Sequence, residues 1–360
     1  MIIYIDRSIG EIGKEKGLNN DERVLFEQLV LSHKKGICLL CGERTSIEWL
    51  AVFMGGWCGE IYKRICEESP QIKAIVNAVE TLLVLSHTDE PTLPGFIQEK
   101  CRVLIVQDAT KYNLFLPCSL VGENLNDCAF YKLVAERYCC LQNIKGIDLK
   151  FRDELGGGDT MATVFEKCVV IDKVLTLCLM DSDIKYGPTK EFPQMPQAGE
   201  TAGKLLGKYQ KLVETHNAAT FDFYCIEAHE IENLIPMAVL ERVAVTTPDM
   251  INGVNYLKKF IDAKLEDAIL LYDFKEGGQK IKSGAPSAYW QMVTSSIADD
   301  SMPCLCKKVM EKALEVMKEE VQVGVKYVTV VPLESYLISR WEAIGRKAFS
   351  WGCAHMPVRS

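Results

Sequence analysis

The sequence has no long uninterrupted apolar run, and this lack argues against a membrane-spanning protein. The best candidate, Cys168–Met180, is too short to cross a bilayer and is interrupted by Asp172 and Lys173. The amino-terminal segment carries Asp6 and Glu11 close to its only apolar patch, which is not typical of a signal peptide. The sequence therefore predicts a cytoplasmic protein with no membrane partner.

Complete motifs for a zinc site, a disulfide framework or a phosphate loop are also missing. The 15 cysteines are odd in number and irregularly spaced, so we expect reduced thiols that are mostly buried. Cys38 and Cys41 have CxxC spacing, but no second CxxC or HxxH pair is present to complete four ligands. Gly199–Lys204 resembles a phosphate loop, yet it has one residue too few between its glycines, and Leu205 replaces the metal-binding Ser or Thr. We expect neither a structural zinc nor an NTPase.

Positive charge is in deficit, with a formal net charge of -8. This excludes a protein that coats nucleic acid through bulk charge, although a local basic groove needs only a few well-placed cations. The hydrophobic fraction of 48% and the charged fraction of 25% are ordinary for a globular protein. The length of 360 residues suits one large domain with an insertion, or two modest domains.

Residues 146–183 carry the clearest structural pattern. A strand-like Ile147–Phe151 is followed by the Gly-rich turn Asp153–Asp159, a helix-like Thr160–Cys168 and an apolar strand, Val174–Met180. This succession predicts a βαβ unit, which implies a parallel sheet with both faces covered. The expected fold is therefore α/β, with a Rossmann-like parallel sheet flanked by helices.

The remaining segments predict how the chain is divided. Residues 1–54 contain a helix at 22–32, a buried strand at Gly36–Leu40 and a helix from Ile47, and we group them with 146–300 as the core of the fold. Residues 55–145 have mostly helical patterns, including Ile72–Leu85, with one strand-like piece at Cys101–Gln107, which suggests a helical insertion or lobe. Residues 301–360 form a helix and strand extension, with Val325–Val331 as its strand.

Acidic residues follow three of the predicted strands. Asp181 and Asp183 end the strand at 174–180, and side chains two apart on a strand face the same way. Because sites lie outside the carboxyl ends of parallel strands, these carboxylates suit a hard cation such as Mg²⁺. The alternative is that they only finish a strand or cap a turn.

Two further groups of acids are expected at the same edge. Glu227, Glu230 and Glu232 follow the strand Phe221–Ile226, and a favourable position near a helix start explains one or two of them. Glu43 follows the strand at 36–40, with Glu48 a little over one turn further on. A solvated loop acid is the alternative for Glu43.

Three of these motifs together resemble the Toprim domain of OLD-family nucleases and of stand-alone Toprim effectors in bacterial anti-phage defence. They are Gly156-Gly157-Gly158, Asp181-Ser182-Asp183 and Glu230-Ile231-Glu232-Asn233, and the resemblance covers roughly half the chain. It implies a Toprim-like fold and hydrolysis of DNA or RNA phosphodiesters with Mg²⁺ or Mn²⁺.

The resemblance also implies roles for particular residues and a kind of partner. The implied catalytic residues are Glu43, Asp181, Asp183, Glu230 and Lys280, and the implied metal ligands are Glu43, Glu48, Asp181, Asp183, Glu230 and Glu232. Lys275 and Lys282 are the other candidates for a lysine that faces the phosphate. A separate ATPase partner and an oligomeric assembly are expected by analogy.

One motif departs from the Toprim pattern. Where the family has Glu followed by Gly after its first strand, this chain has Cys41-Gly42-Glu43. A catalytically dead Toprim-like interaction subunit is therefore the main alternative. A DxD phosphatase is a weaker one, because Lys185 stands where Thr or Val is usual and the motif lies mid-chain.

Overall fold

The computed structural model describes residues 1–194, 196–280 and 284–357, with every side chain in them except those of 69–71, 159, 279 and 280. Strands occupy β1 Ile2–Ile5, β2 Leu39–Gly42, β3 Leu82–Ser86, β4 Cys101–Ile105, β5 Cys118–Gly122, β6 Ile147–Leu149, β7 Phe151–Leu155, β8 Thr176–Met180, β9 Phe221–Cys225, β10 Glu320–Gln322, β11 Val325–Lys326 and β12 Cys353–His355.

The α-helices of the described chain are α1 Arg7–Lys16, α2 Asn20–Lys34, α3 Arg44–Met54, α4 Gly56–Ala78, α5 Gly95–Gln98, α6 Val106–Ala109, α7 Leu125–Leu141, α8 Met161–Glu166, α9 Glu200–Thr215, α10 Met237–Thr246, α11 Ile251–Asp262, α12 Asp267–Leu271, α13 Ala285–Ile297, α14 Val309–Lys318, α15 Tyr327–Val330 and α16 Ser335–Gly352. Short 3₁₀ helices occur at Gly158–Thr160, Ala218–Thr220, Ile231–Leu234, Pro248–Met250 and Gly277–Lys280, and Lys167–Ile171 forms a π-helical turn.

Two four-stranded parallel sheets organise these elements. The first has the order β2-β1-β3-β4 and the second the order β7-β5-β8-β9. When the strands of each sheet are numbered along the chain, both sheets follow the order 2-1-3-4. The prediction of an α/β protein with parallel strands is confirmed, but the described chain has two such sheets where one was predicted.

The burial of strand β8 on both faces explains why its sequence is a continuous apolar run. All of Thr176–Met180 is buried. Leu177 and Leu179 pack into one hydrophobic cluster, whereas Cys178 and Met180 pack into another on the opposite face. A strand with layers on both faces has no position for an exposed polar side chain, and so its sequence loses the usual alternation.

Local capping explains where the predicted helix at 22–32 begins. The Asn19 side chain accepts a hydrogen bond from the Glu22 amide at 3.0 Å, and the Glu22 carboxylate accepts one from the Asn19 amide at 3.0 Å. This reciprocal pair satisfies two amides that have no partner inside the helix. Leu25 and Leu29 then place the apolar face of α2 in the core. The predicted helix is confirmed as part of α2.

An ion-pair network ties the two sheets together at their β4 and β9 edges. The buried Asp222 of β9 lies 2.8 Å from Arg102 of β4 and 2.9 Å from Lys347 of α16. Arg102 also donates to the backbone oxygens of Ala218 and Phe221 at 2.9 and 2.8 Å. Because a buried carboxylate needs such partners, this network favours one arrangement of the two sheets.

Several sequence predictions differ from the structure. The strand at 36–40 corresponds to β2, which pairs with β1 at the edge of the first sheet and does not join β8. The segment 55–145 contains β4, which matches the strand-like piece predicted at Cys101–Gln107, but it also contains β3 and β5, which were not predicted. The helix expected at Ile72–Leu85 is therefore split between α4 and β3. Val325–Val331 is not a long strand, since α15 begins at Tyr327.

The cysteines agree with the expectation of reduced, mostly buried thiols. All 15 cysteines have free thiols, and of these only Cys140 and Cys304 are exposed. Within the described ranges, no helix combines the length and the apolarity that a bilayer crossing would need.

Candidate active site

Carboxylates gather where three neighbouring strands of the second sheet end. Strands β5, β8 and β9 lie side by side and run parallel. The segments that follow them carry Glu123 and Asp127 after β5, Asp181 and Asp183 after β8, and Glu230 and Glu232 after β9. Parallel strands bring their carboxyl ends to one edge of a sheet, so these three pairs of acids lie at the same edge.

The first pair is positioned by the start of α7. Asn124 caps this helix, with its side chain accepting from the amides of Asn126 and Asp127 at 2.9 and 3.2 Å. The Asp127 carboxylate accepts in return from the Asn124 amide at 3.2 Å, so it is held in the first turn, where the helix dipole favours negative charge. A Cβ at Gly122 would lie 2.8 Å from the Cys128 sulfur, so glycine lets the strand approach the helix closely.

The second pair lies on a turn that is fixed by backbone contacts. Ser182 is buried, and its hydroxyl donates to the Ala228 oxygen at 2.6 Å. Asp183 has a φ of 57° and donates its amide to the His229 oxygen at 3.0 Å. A Cβ at Gly199 would lie only 2.3 Å from the Asp183 Cβ, so Asp183 packs against the amino end of α9. The two aspartates therefore do not share an extended strand, contrary to the alternation expected from sequence.

Mutual repulsion and burial perturb the acids at the sheet edge. Desolvation by the surrounding protein raises the pKa of Asp181 well above its ordinary value. Four neighbouring carboxylates raise it further, in decreasing order Asp127, Glu232, Glu123 and Glu230. Burial, with Glu232 and Glu123 next, raises the pKa of Asp127 from 3.8 to about 7. A bound cation would favour the ionised form of the carboxyls whose pKa is raised.

A lysine reaches the third pair from the loop after α12. Lys275 Nζ lies 3.1 Å from Glu232 Oε1 and 3.3 Å from Glu230 Oε2. Partial burial lowers the pKa of Lys275, but the charges of Glu232 and Glu230 outweigh it and raise the pKa overall. Asp273 Oδ1 accepts from the amides of Lys275 and Glu276 at 3.1 and 2.8 Å, which shapes the loop that presents the lysine.

Asn233 links this loop to the segment after β9. Its side-chain oxygen accepts from the Glu230 amide at 2.8 Å, and its side-chain nitrogen donates to Ile269 and Tyr272 oxygens at 2.7 Å each. The buried amide thereby fixes the position of Glu230 relative to the Lys275 loop. Asn233 is a positioning residue of the EIEN motif.

A cleft of about 700 Å³ opens beside Asp183, one of the six acids. Its lining includes Asp183, Lys185, Asp273 and Trp290. The cleft is large enough for a ligand the size of a nucleotide. Acidic and basic side chains therefore both line the cleft.

The structure places Glu43 and Glu48 elsewhere. Glu43 follows β2 in the first sheet, where its amide donates to the Ile5 oxygen at 2.8 Å. Glu48 is exposed and paired with Arg44 at 2.7 Å. Neither is among the four acids that act on Asp181, because β2 and β8 belong to different sheets. The side chain of Lys280 and the whole of Lys282 lie outside the described residues, so the lysine seen at the acids is Lys275.

Sequence reasoning missed Glu123 and Asp127. The signal was the apolar segment Cys118–Gly122, which ends in a glycine and is followed by Glu123 and, four residues later, by Asp127. It was overlooked because the whole of 55–145 was assigned to a helical insertion. The first-strand acid of the second sheet is therefore Glu123, and the acid stands after a glycine here as well.

The donor atoms fit a hard cation in type, and one of them lacks a partner. Among the described residues, the Oε2 atom of Glu232 is buried and has no hydrogen-bond partner, while Lys275 contacts the other oxygen of Glu232 and Oε2 of Glu230. Carboxylate oxygens are the ligands that Mg²⁺ and Mn²⁺ take. No family model, curated protein or solved structure matches this chain.

Proposed function

We propose that this protein is a divalent-cation-dependent nuclease of the Toprim kind. The observation that carries the proposal is the gathering of carboxylates from three adjacent parallel strands around Asp181, next to one lysine. A phosphodiester is anionic, and its hydrolysis needs positive charge near both the attacking and the leaving oxygen. Mg²⁺ or Mn²⁺ bound by these carboxylates would supply that charge and would lower the pKa of a bound water.

Glu123 supports the proposal because it can take the place of the first-strand acid, for which the sequence departs from the Toprim pattern at Cys41-Gly42-Glu43. The Toprim pattern needs an acid after the first strand of its sheet. In the second sheet that strand is β5, and Glu123 follows it directly. Glu123 and Asp127 would hold a cation together with Asp181 and Glu232, which are their neighbours in charge. An acid at this place argues against the alternative of a catalytically dead interaction subunit.

The protein's own groups have distinct parts in this proposal. Asp127 holds a proton near neutral pH in the metal-free protein, and it would have to release that proton to act as a ligand. Lys275 stays protonated between Glu230 and Glu232 and can direct its charge toward a phosphate oxygen. Lys185, at the cleft wall, offers a second contact for an anionic substrate.

A cleavage assay with Asp181→Asn tests the proposal. Full-length parent and variant are incubated with plasmid DNA and with total RNA in Mn²⁺, and folding is checked by circular dichroism. We expect the variant to lose cutting by about two orders of magnitude or more, because a metal ligand is removed. Asp21→Asn is the matched control, since Asp21 is an exposed acid in the first turn of α2. Equal cutting by parent and Asp181→Asn, or no cutting of either nucleic acid by the parent, would contradict the proposal.

A further inference from the structure

His229 is completely buried next to the acids, and its backbone is fixed on both sides. It follows β9, its amide donates to the Leu270 oxygen at 2.7 Å, and its oxygen accepts from Asp183. The imidazole is enclosed by the protein, since His229 has no exposed surface. Its position belongs to the fold of the site.

The ring of His229 lacks the partners that a buried imidazole normally has. Among the described residues, neither Nδ1 nor Nε2 has a hydrogen-bond partner. A buried polar group without a hydrogen-bond partner is destabilising, so the ring is poised to take a ligand. Nε2 lies 4.0 Å from Glu230 Oε1 and 3.8 Å from Asp273 Oδ2, and one ligand atom from each of the three residues lies within 4.8 Å of the other two.

These separations are wrong for hydrogen bonds and close to those of metal ligands. An N–H···O bond needs about 2.7–3.2 Å between the heavy atoms. Ligands at about 2.0–2.2 Å from a metal lie roughly 3–3.5 Å apart. The separations of 4.0 and 3.8 Å from Nε2 are longer than the upper end of that range, and side-chain rotations of Glu230 and Asp273 would bring the oxygens closer.

Two lysines balance the charge of the triangle without filling it. Lys185 Nζ lies 3.4 Å from Asp273 Oδ2, and Lys275 Nζ lies 3.3 Å from Glu230 Oε2. Their side chains are 49% and 38% exposed, so each can swing into the cleft when another cation takes its place. Neither lysine reaches His229, whose ring stays unpaired.

In two other compact groups of metal-ligand atoms in the described chain, ligand residues already have protein partners. The groups are His33–Glu68–His355 and Glu154–Cys168–Asp172. His33 Nδ1 already accepts from the Leu40 amide at 3.2 Å, so the proton of the neutral ring occupies the other nitrogen. In the second group, both acids are paired with Arg152.

We propose that His229 Nε2, Glu230 Oε1 and Asp273 Oδ2 form a second cation site, separate from the carboxylate site around Asp181, which takes a borderline divalent ion such as Mn²⁺ or Zn²⁺. An imidazole ligand favours such ions over Mg²⁺ or Ca²⁺, which prefer oxygen ligands alone. Because Asp273 belongs to the Lys275 loop, the ion would fasten this loop to the end of β9. The inference does not require that the chain cut nucleic acid, and it shares only Glu230 with the proposed function.

Counting bound Mn²⁺ on the full chain tests this site, since Mn²⁺ binds thiols poorly and the chain has many. Electron paramagnetic resonance measures free Mn²⁺, and its echo modulation detects a coordinated imidazole nitrogen. We expect two ions per parent chain, with imidazole modulation. In Asp273→Asn and in His229→Gln we expect one ion, no modulation and at least about tenfold weaker binding at this site. If His229→Gln does not fold, Asp273→Asn still tests the site. Asp273 is partly exposed, and an Asn at this position can still accept from the backbone amides.

The variant Asp181→Asn separates this inference from the proposed function. It should lose one ion and the cutting activity but keep the imidazole modulation. If the parent shows no imidazole modulation, or if Asp273→Asn binds as many ions as the parent with equal affinity, the second site is refuted, whatever the cutting assay shows. Modulation retained in a parent that cuts neither DNA nor RNA would support the second site and overturn only the nuclease proposal.

Discussion

Replacing Asp127 by Asn should make the stability of the metal-free protein less dependent on pH. In the parent, burial and the charges of Glu232 and Glu123 raise the pKa of Asp127 from 3.8 to about 7. The unfolded chain releases this proton at the lower value and the folded chain at the higher one. The stability due to the held proton is therefore fully present below the unfolded pKa and is lost as the pH rises through the folded pKa.

The size of the effect follows from the two pKa values. One pKa unit corresponds to about 1.4 kcal/mol, and roughly two units of the raised range lie between pH 5 and the folded pKa of about 7. Between pH 5 and pH 8 the parent should therefore lose about 3 kcal/mol of unfolding free energy through Asp127 alone. Asn has no charge to bury and can still accept from the Asn124 amide, so Asp127→Asn should lack this loss.

Urea unfolding followed by tryptophan fluorescence measures the difference. Parent and variant are compared at pH 5, 6 and 8 with a chelator and a reducing agent present. Asp21→Asn is the control, because this first-turn acid is exposed and its removal should leave the pH dependence of the parent. Adding Mn²⁺ at pH 8 should stabilise the parent more than Asp127→Asn. Equal pH dependence in parent and Asp127→Asn would refute the assignment of Asp127 to a crowded acidic site.

Two comparisons of conservative variants test the assignment of the other acids in the nuclease assay. Glu123→Gln should cut at least about a hundredfold more slowly than the parent, whereas Glu43→Gln should cut like the parent, since only Glu123 adjoins Asp181. If Glu43→Gln cut more slowly than the parent and Glu123→Gln cut like the parent, the first-strand acid of the site would be Glu43. Glu230→Gln should impair cutting, whereas Glu227→Gln should not, because Glu227 is exposed and lies 3.6 Å from Arg340, away from Lys275. Normal cutting by Glu230→Gln would show that the site is built from other acids.

The spacing of apolar residues along the sequence predicted individual elements of the second sheet better than the arrangement of the whole chain. The strands at 174–180 and 221–226 and the helix at 160–168 correspond to β8, β9 and α8. Each is a continuous apolar run or a regular amphipathic pattern bounded by glycine or polar turns. Short buried strands such as β3 and β5 were not separated from helices, because a mostly apolar run of five residues fits either structure.

The identity of the first-strand acid was not accessible to local reasoning. Glu43 and Glu123 both follow a short apolar strand and a glycine, so the residues around them do not distinguish the two. Only the pairing of β5 with β8 and of β2 with β1 assigns Glu123 to the sheet that carries Asp181. Strand pairing depends on contacts between distant parts of the chain, and a motif of a few residues does not encode them. The domain boundaries drawn from the sequence stay a prediction.

Charge determines the order of binding in the proposed reaction. The acids after β5, β8 and β9 outnumber the lysines that contact them, and the whole chain has a net charge of -8. At the metal-free edge, a nucleic acid would meet more acids than lysines, and only Lys185 and Lys275 would attract it there. Cations bound among the carboxylates reverse that balance at the point where the phosphodiester must lie. We therefore infer that cation binding precedes substrate binding, and that local charge at this sheet edge, rather than the charge of the whole protein, decides whether nucleic acid is a substrate.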